Sequence, residues 1–246
     1  MKRLVLAIAI AGLLAAAVGA AQADDAGTAH YPDLRTLTPS DVKFQRVRST
    51  GVKLLRFSNT VANLGDGKFE LRPENDPATG TTEAYQRLYS HDSAGNWYLS
   101  SETLVGDFRF HVAHGHWHFE DFALYELREV AGDGGIGGVV RSTDKVTFCI
   151  IDTELVDASL EHAAGQAYTS CGQSVTQGLS VGWGDQYRWN LAGQSIDITG
   201  VSNGEYWLVS TADPANLINE GGGARETNNT AVVKIRLRGN GVRVLP

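Results

Sequence analysis

His114-Gly115-His116-Trp117-His118-Phe119-Glu120-Asp121-Phe122-Ala123-Leu124-Tyr125-Glu126-Leu127-Arg128 is the run that decides the fold class. Its second half, from Phe122, reads as a strand closed by the glycine cluster from Gly132 to Gly138. Its first half sets a histidine at every second position, and on an extended chain alternate side chains point to one side. With His111, this stretch holds four of the seven histidines. Imidazole is the commonest protein ligand for transition metals, so His114, His116 and His118 are the candidate ligands. In an ideal strand the first and third of these Cα atoms stand about 13 Å apart. Two imidazole arms of roughly 6 Å with bonds of about 2 Å only just close that gap. A bend at Gly115 is therefore expected, where a glycine admits dihedrals that other residues avoid. All-nitrogen ligation suits Cu(II), Zn(II) or Ni(II), with Cu(II) favoured by intrinsic affinity. His111 is open between a group supporting the ligands and a satisfied core histidine.

Outward from this run the chain reads as further short strands. Val52 to Asn63 alternates apolar and polar residues, Gly65-Asp66-Gly67 turns the chain, and Lys68 to Arg72 follows as a strand. Pro73 to Thr82 reads as a loop. Tyr85 to Ser90 and Trp97 to Leu99 flank the hairpin tip Asp92-Ser93-Ala94-Gly95-Asn96. Val146 to Ile151, Ser195 to Thr199, Glu205 to Ser210 and Ala231 to Leu237 are the later strands. Asp24 to Ser49 shows no sustained period and is expected as an irregular arm, and Asp152 to Asp185 as a long loop. Amphipathic helices are scarce, so the expected class is mainly β: a single-domain β-sandwich with long irregular loops and little helix.

Lys2 and Arg3, an apolar run to about Ala20, and Ala21-Gln22-Ala23 before Asp24 form the pattern of a secretory signal peptide, 1–23. The mature domain would be 24–246, secreted or periplasmic, with no stretch long and apolar enough to span a bilayer. Losing Lys2 and Arg3 takes the formal net charge from −7 to −9. That acidity argues against nucleic acid as a partner and for cationic ones. In an oxidising compartment the two cysteines, Cys149 and Cys171, are expected to form one disulfide, two free thiols being the alternative.

Several ordered segments resemble the lysyl oxidase family. His111 to His118, followed by Phe122 and Tyr125-Glu126-Leu127, is similar to its copper-binding segment. Leu54-Leu55-Arg56-Phe57 with Asn63-Leu64-Gly65 resembles the strand before it, and Lys145 to Thr153 its Lys-x-x-Phe-Cys-x-x-Asp-Thr element. Thr176 to Ser180 and Asp185-Gln186-Tyr187 resemble the segment carrying the cofactor tyrosine, with Ile196-Asp197-Ile198-Thr199 after it. The resemblance runs from about Tyr31 to Leu237 and implies a copper(II) amine oxidase acting with molecular oxygen. Primary amines, lysine side chains or small amines, would become aldehydes with release of ammonia and hydrogen peroxide. The organic cofactor would be a lysine tyrosylquinone made from Lys145 and Tyr187. An electrophilic quinone and a neutral amine held in contact suit such a crosslink. Asp152 and Asp185 stand near those two residues in sequence and are candidates for the base.

The resemblance is imperfect. Vertebrate members carry a cysteine where this chain has Ala113, further cysteines around the tyrosine segment, and a histidine where it has Leu124. Cys171 thus lacks its expected partner, and pairing Cys149 with Cys171 is the economical solution. The resemblance also implies a calcium site from Asp33, the Leu34 carbonyl, Glu220, Asn228 and Asn229, residue types whose oxygens suit Ca²⁺. Gly221 to Arg225 reads there as an insertion that brings a base, and a plain Gly/Asn-rich turn is the alternative. Two other functions stay open. His114-x-His116-x-x-x-Glu120 fits the short metal motif of cupins, without their second motif, and a non-catalytic exported copper or zinc protein needs no quinone.

Overall fold

The computed structural model describes residues 27–76, 80–144, 146–163 and 165–246. The expected signal peptide, 1–23, and Lys145 lie outside the described residues. The strands are β1 (Ala29–His30), β2 (Leu34–Thr36), β3 (Ser40–Arg46), β4 (Lys53–Asn63), β5 (Phe69–Asn75), β6 (Thr82–His91), β7 (Trp97–His111), β8 (His116–Val130) and β9 (Ile136–Ser142). They continue with β10 (Val146–Phe148), β11 (Glu154–Leu155), β12 (Gln177–Leu179), β13 (Trp183–Tyr187), β14 (Ser195–Asp197), β15 (Gly204–Ala212), β16 (Thr230–Arg238) and β17 (Gly241–Val244). A 3₁₀ turn at Gly223–Thr227 is the one helical element among the described residues, so the mainly β expectation holds.

Two antiparallel sheets face each other. The larger runs β12-β5-β6-β7-β8-β15-β16-β17, with β1 beside β6 and β9 and β10 beside β8. The smaller runs β11-β13-β4-β14, with β2 and β3 also on β4. Leu34, Leu55, Phe57 and Val61 of the smaller sheet meet Phe69, Leu71, Phe122, Tyr125 and Leu127 of the larger in one core. Phe57 sets its ring edge against Tyr125 at 4.9 Å, which joins the two layers. Four strands pair with β4, which is buried on both faces, and its polar residues are mostly bonded inside, Asn59 Nδ2 being left without a partner. Asn63 donates to the carbonyls of Gly67 and Leu179 and accepts from the Asp33 amide, while Ser210 donates to Asn59 at 2.7 Å.

Four expectations need correction, the last being that Asp152 to Asp185, read as a long loop, contains β11, β12 and the start of β13. The stretch read as an irregular arm supplies β1, β2 and β3. β3 lies along β4 with mostly exposed side chains, and its apolar alternation is only two residues long, Val42 and Phe44. Secondly, β5 continues through Pro73 to Asn75, because β12 pairs with it only as far as Leu71 and leaves an edge there. An edge tolerates a residue without an N–H. Thirdly, His114 is not on a strand: β7 ends at His111, β8 starts at His116, and the residues between them form a turn.

Candidate metal centre and cofactor site

The β7–β8 hairpin fixes the histidines by register. His111 pairs with His116 and Arg109 with His118, and opposed residues of an antiparallel pair share a face. His111, His116, His118 and Glu120 therefore stand on one side of the ribbon, with Phe110 and Trp117 packed together on the other at 6.0 Å. The turn returns His114 to the same side. Its amide and that of Gly115 donate to the His111 carbonyl at 3.0 and 2.8 Å. Gly115 has φ +73°, the left-handed region that glycine enters freely, so the expected bend is present.

Ligating nitrogens of His111, His114 and His118 lie within 4.8 Å of one another. His114 Nδ1 and His118 Nε2 are 3.3 Å apart. That is about the separation two imidazoles keep on one tetrahedral ion with bonds of about 2.0 Å. His116 stands at the margin, its ring centroid 4.9 Å from that of His118 and 5.6 Å from that of His114. His111 Nδ1 is buried with no hydrogen-bond partner, so in the tautomer protonated at Nε2 its lone pair is left for an ion. His118 Nδ1 bonds Thr147 Oγ1 at 2.9 Å; as donor, it leaves Nε2 free to ligate. Burial and the neighbouring rings push His118 down to about 3, and His114 and His116 are also lowered, so these imidazoles are neutral and able to ligate at pH 7. The donor set fits copper(II) or zinc(II). His111 was underweighted by sequence because cross-strand register, not local spacing, brings it to the site.

Beside the histidines a cavity of about 400 Å³ is lined by His111, Arg109, Glu120, Asp144, Val146 and Thr147, among others. Lys145 falls between Asp144 and Val146 in sequence. Burial raises the Glu120 carboxyl, and Arg109, 3.6 Å away, opposes that shift.

Tyr187 comes from the opposite sheet. Its hydroxyl accepts the Cys149 amide at 2.8 Å, and its ring lies 3.9 Å from Phe148. Thr147 holds His118 and Cys149 holds Tyr187, so the histidine site and the tyrosine are tied to positions two residues apart on one segment. Burial and the nearby Asp185 push the Tyr187 phenol far above its ordinary range. The Cys149–Cys171 disulfide is formed, with Cα atoms 5.7 Å apart, and the Cys171 carbonyl accepts from Trp117 of the hairpin. Gln177 completes the tie: it accepts from the Ile150 amide and donates to the Trp117 carbonyl.

The two candidate bases differ. Asp152 accepts from the amides of Ala167, Tyr168 and Ser180 and from the Ser180 hydroxyl, so it is a structural carboxylate holding the long loop. Asp185 is equally buried, but Oδ1 has only Thr153 at 3.3 Å among side-chain donors, and Oδ2 has no partner. Burial raises its carboxyl well above the usual range.

Four of the five residues expected around calcium meet through their side chains, and Leu34 joins them through its amide, not the expected carbonyl. Glu220, fully buried, accepts from the Leu34 amide and from Asn229 Nδ2, the latter at 2.7 Å. Asn228 Nδ2 donates to Asp33 at 2.9 Å. The Oδ1 atoms of Asn228 and Asn229 are buried without a donor, and unsatisfied oxygens beside two carboxylates fit a hard cation. Arg225, the unexpected base, turns away to bond Asp66 at 2.7 Å.

A two-sheet β protein with a histidine hairpin beside a buried tyrosine is the class that fold and site define. A lysyl oxidase family profile matches residues 89–245, and the chain belongs to the lysyl oxidase family. It is 31% identical over 163 residues to lysyl oxidase homolog 3A of Danio rerio, covering 66% of this chain and 16% of that protein. Homolog 2B of Danio rerio is 30% identical over 78% of this chain and 19% of its own length, and homolog 2 of Xenopus tropicalis 29% over 68% and 20%. The chain thus spans about a fifth of the length of these relatives.

Proposed function

We propose that this chain is an exported copper-dependent amine oxidase. The observation that carries the proposal is the histidine cluster anchored through Thr147 to the segment that follows Lys145, with Tyr187 held on the same segment at Cys149. His111, His114, His116 and His118 would hold copper(II), and Lys145 with Tyr187 would form the lysine tyrosylquinone. Together these groups would supply the two-electron oxidation of a primary amine by oxygen with uptake of one water, yielding an aldehyde, ammonia and hydrogen peroxide.

The chain's own residues then bind and orient the amine. Glu120 and Asp144 put two acids in the wall of the cavity against one base, Arg109, and that excess of one acid attracts a cationic ammonium and suits a lysine side chain or a small amine. Asp185, two residues before Tyr187 and without a partner at Oδ2, is the carboxylate we assign to proton removal. Asp33, Leu34, Glu220, Asn228 and Asn229 would hold calcium. The family assignment displaces the cupin alternative. The buried, bonded hydroxyl of Tyr187 favours one second reading, a copper or zinc protein in which the quinone does not form.

Amine-dependent peroxide release by copper-loaded protein separates the two. The proposal expects release by the wild type and its loss in Tyr187→Phe. Full retention in that variant would rule out the quinone mechanism, and no release from wild type with bound copper would support the second reading.

A further inference from the structure

The hairpin uses four of the seven histidines, and the other three also meet. His30 ends β1, His91 ends β6, and His162 lies in the long loop after β11. Although far apart in sequence, their ligating nitrogens lie within 4.8 Å of one another. Ring centroids are 4.3 Å apart for His30 and His91, 5.0 Å for His30 and His162, and 5.3 Å for His91 and His162. We infer that His30, His91 and His162 form a second site for a divalent transition metal of the zinc or copper class. This does not depend on the proposed oxidase activity.

Three observations carry it. His30 Nε2 and His91 Nδ1 are 3.2 Å apart, close to the 3.3 Å pair in the hairpin cluster and to the spacing of two nitrogens on one tetrahedral ion. A single N–H···N bond can satisfy that pair but does not account for the third ring, which has Glu161 at 3.9 Å. Secondly, the outward nitrogen of His30 is already oriented. Nδ1 faces Asp66 Oδ2 at 3.2 Å, and the other oxygen of Asp66 is held by Arg225 at 2.7 Å. An anchored carboxylate on one ring nitrogen, with the other turned to a shared point, is the arrangement that fixes metal-ligating histidines. Thirdly, His162 has φ +69°, which a non-glycine residue adopts at a cost and holds where its surroundings impose it. The Trp97 ring contacts all three imidazoles, at 4.8, 4.2 and 5.2 Å, and covers the cluster on one side.

The site is separate from the hairpin centre. Trp97 begins β7 and His111 ends it, so the two clusters flank opposite ends of a 15-residue strand, about 45 Å apart along a straight strand. Three imidazoles leave a fourth position for water or a small ligand. His162, Trp97 and Asp66 also line a cavity of about 550 Å³, which gives that position access to solvent. An ion there would pin β1, the end of β6 and the long loop to one point.

Untagged mature protein, stripped with a chelator and dialysed against Zn(II) or Cu(II) with calcium present, tests this by metal-to-protein ratio. Two equivalents are expected in the wild type, and one in His91→Asn and in His162→Gln, each checked for a native circular dichroism spectrum. His162→Gln serves if His91→Asn does not fold, since it alters a loop side chain. His111→Ala/His114→Ala should retain one equivalent, lost on adding His162→Gln. A wild-type ratio of one unchanged by His162→Gln, or a ratio of two in both single variants, overturns the inference. A single equivalent that survives His111→Ala/His114→Ala but not His162→Gln supports this site while contradicting the hairpin one.

Discussion

Thr147 and Asp185 make opposite demands on the residues around them. Thr147 orients a proposed ligand: its hydroxyl fixes His118 Nδ1 and so aims Nε2 at His114. Thr147→Val should weaken copper binding about 10–100-fold, the usual loss when a ligand's outer partner is removed, with little effect on folding. Competition with a chromophoric chelator checks it. Asp185 instead carries a cost. Its carboxyl is raised by burial, so the folded state favours the protonated form, and stability falls as pH climbs from the unfolded value of about 4 toward the folded one. Asp185→Asn should therefore be at least as stable as wild type at pH 8 while losing turnover. Urea midpoints at pH 5 and pH 8 should show a flatter dependence in the variant; an unchanged slope would contradict this description of Asp185.

At the scale of elements, the β7–β8 hairpin depends on one glycine. Nothing lies within 4 Å of a Cβ added at Gly115, so Gly115→Ala meets no clash and only opposes the left-handed backbone, at about 1 kcal/mol. Copper affinity should drop in Gly115→Ala and recover in Gly115→Asn, because asparagine tolerates that conformation. Equal affinity in all three would show that the bend does not place His114. The disulfide is the second element-scale tie. It spans 22 residues and contributes about 3 kcal/mol by loop closure. The histidine alternation, the strands β4, β8 and β16 and the bend were legible in sequence because strand periodicity is local. His111 was not, since its place depends on register across the hairpin, nor was β3, whose only apolar alternation is the pair Val42 and Phe44. The cluster of His30, His91 and His162 has no local spacing at all, being assembled by three distant segments.

For the whole molecule, the cluster of Asp33, Glu220, Asn228 and Asn229 joins β2 to the β15–β16 connection. Calcium at 100 times its dissociation constant would stabilise the fold by about 2.7 kcal/mol. Addition of EGTA should lower the melting temperature of wild type and leave Glu220→Ala unaffected; no shift in wild type would exclude the site. The large core between the sheets keeps the parts of the proposed site in register, with the hairpin on one sheet and Tyr187 on the other. The most direct test of that arrangement is peptide mapping by mass spectrometry after copper and oxygen are supplied to the stripped, folded protein. The account predicts a covalently joined pair of peptides containing Lys145 and Tyr187, absent without copper and absent in Tyr187→Phe. Copper-loaded protein that releases peroxide from amines while both residues remain unlinked would contradict it.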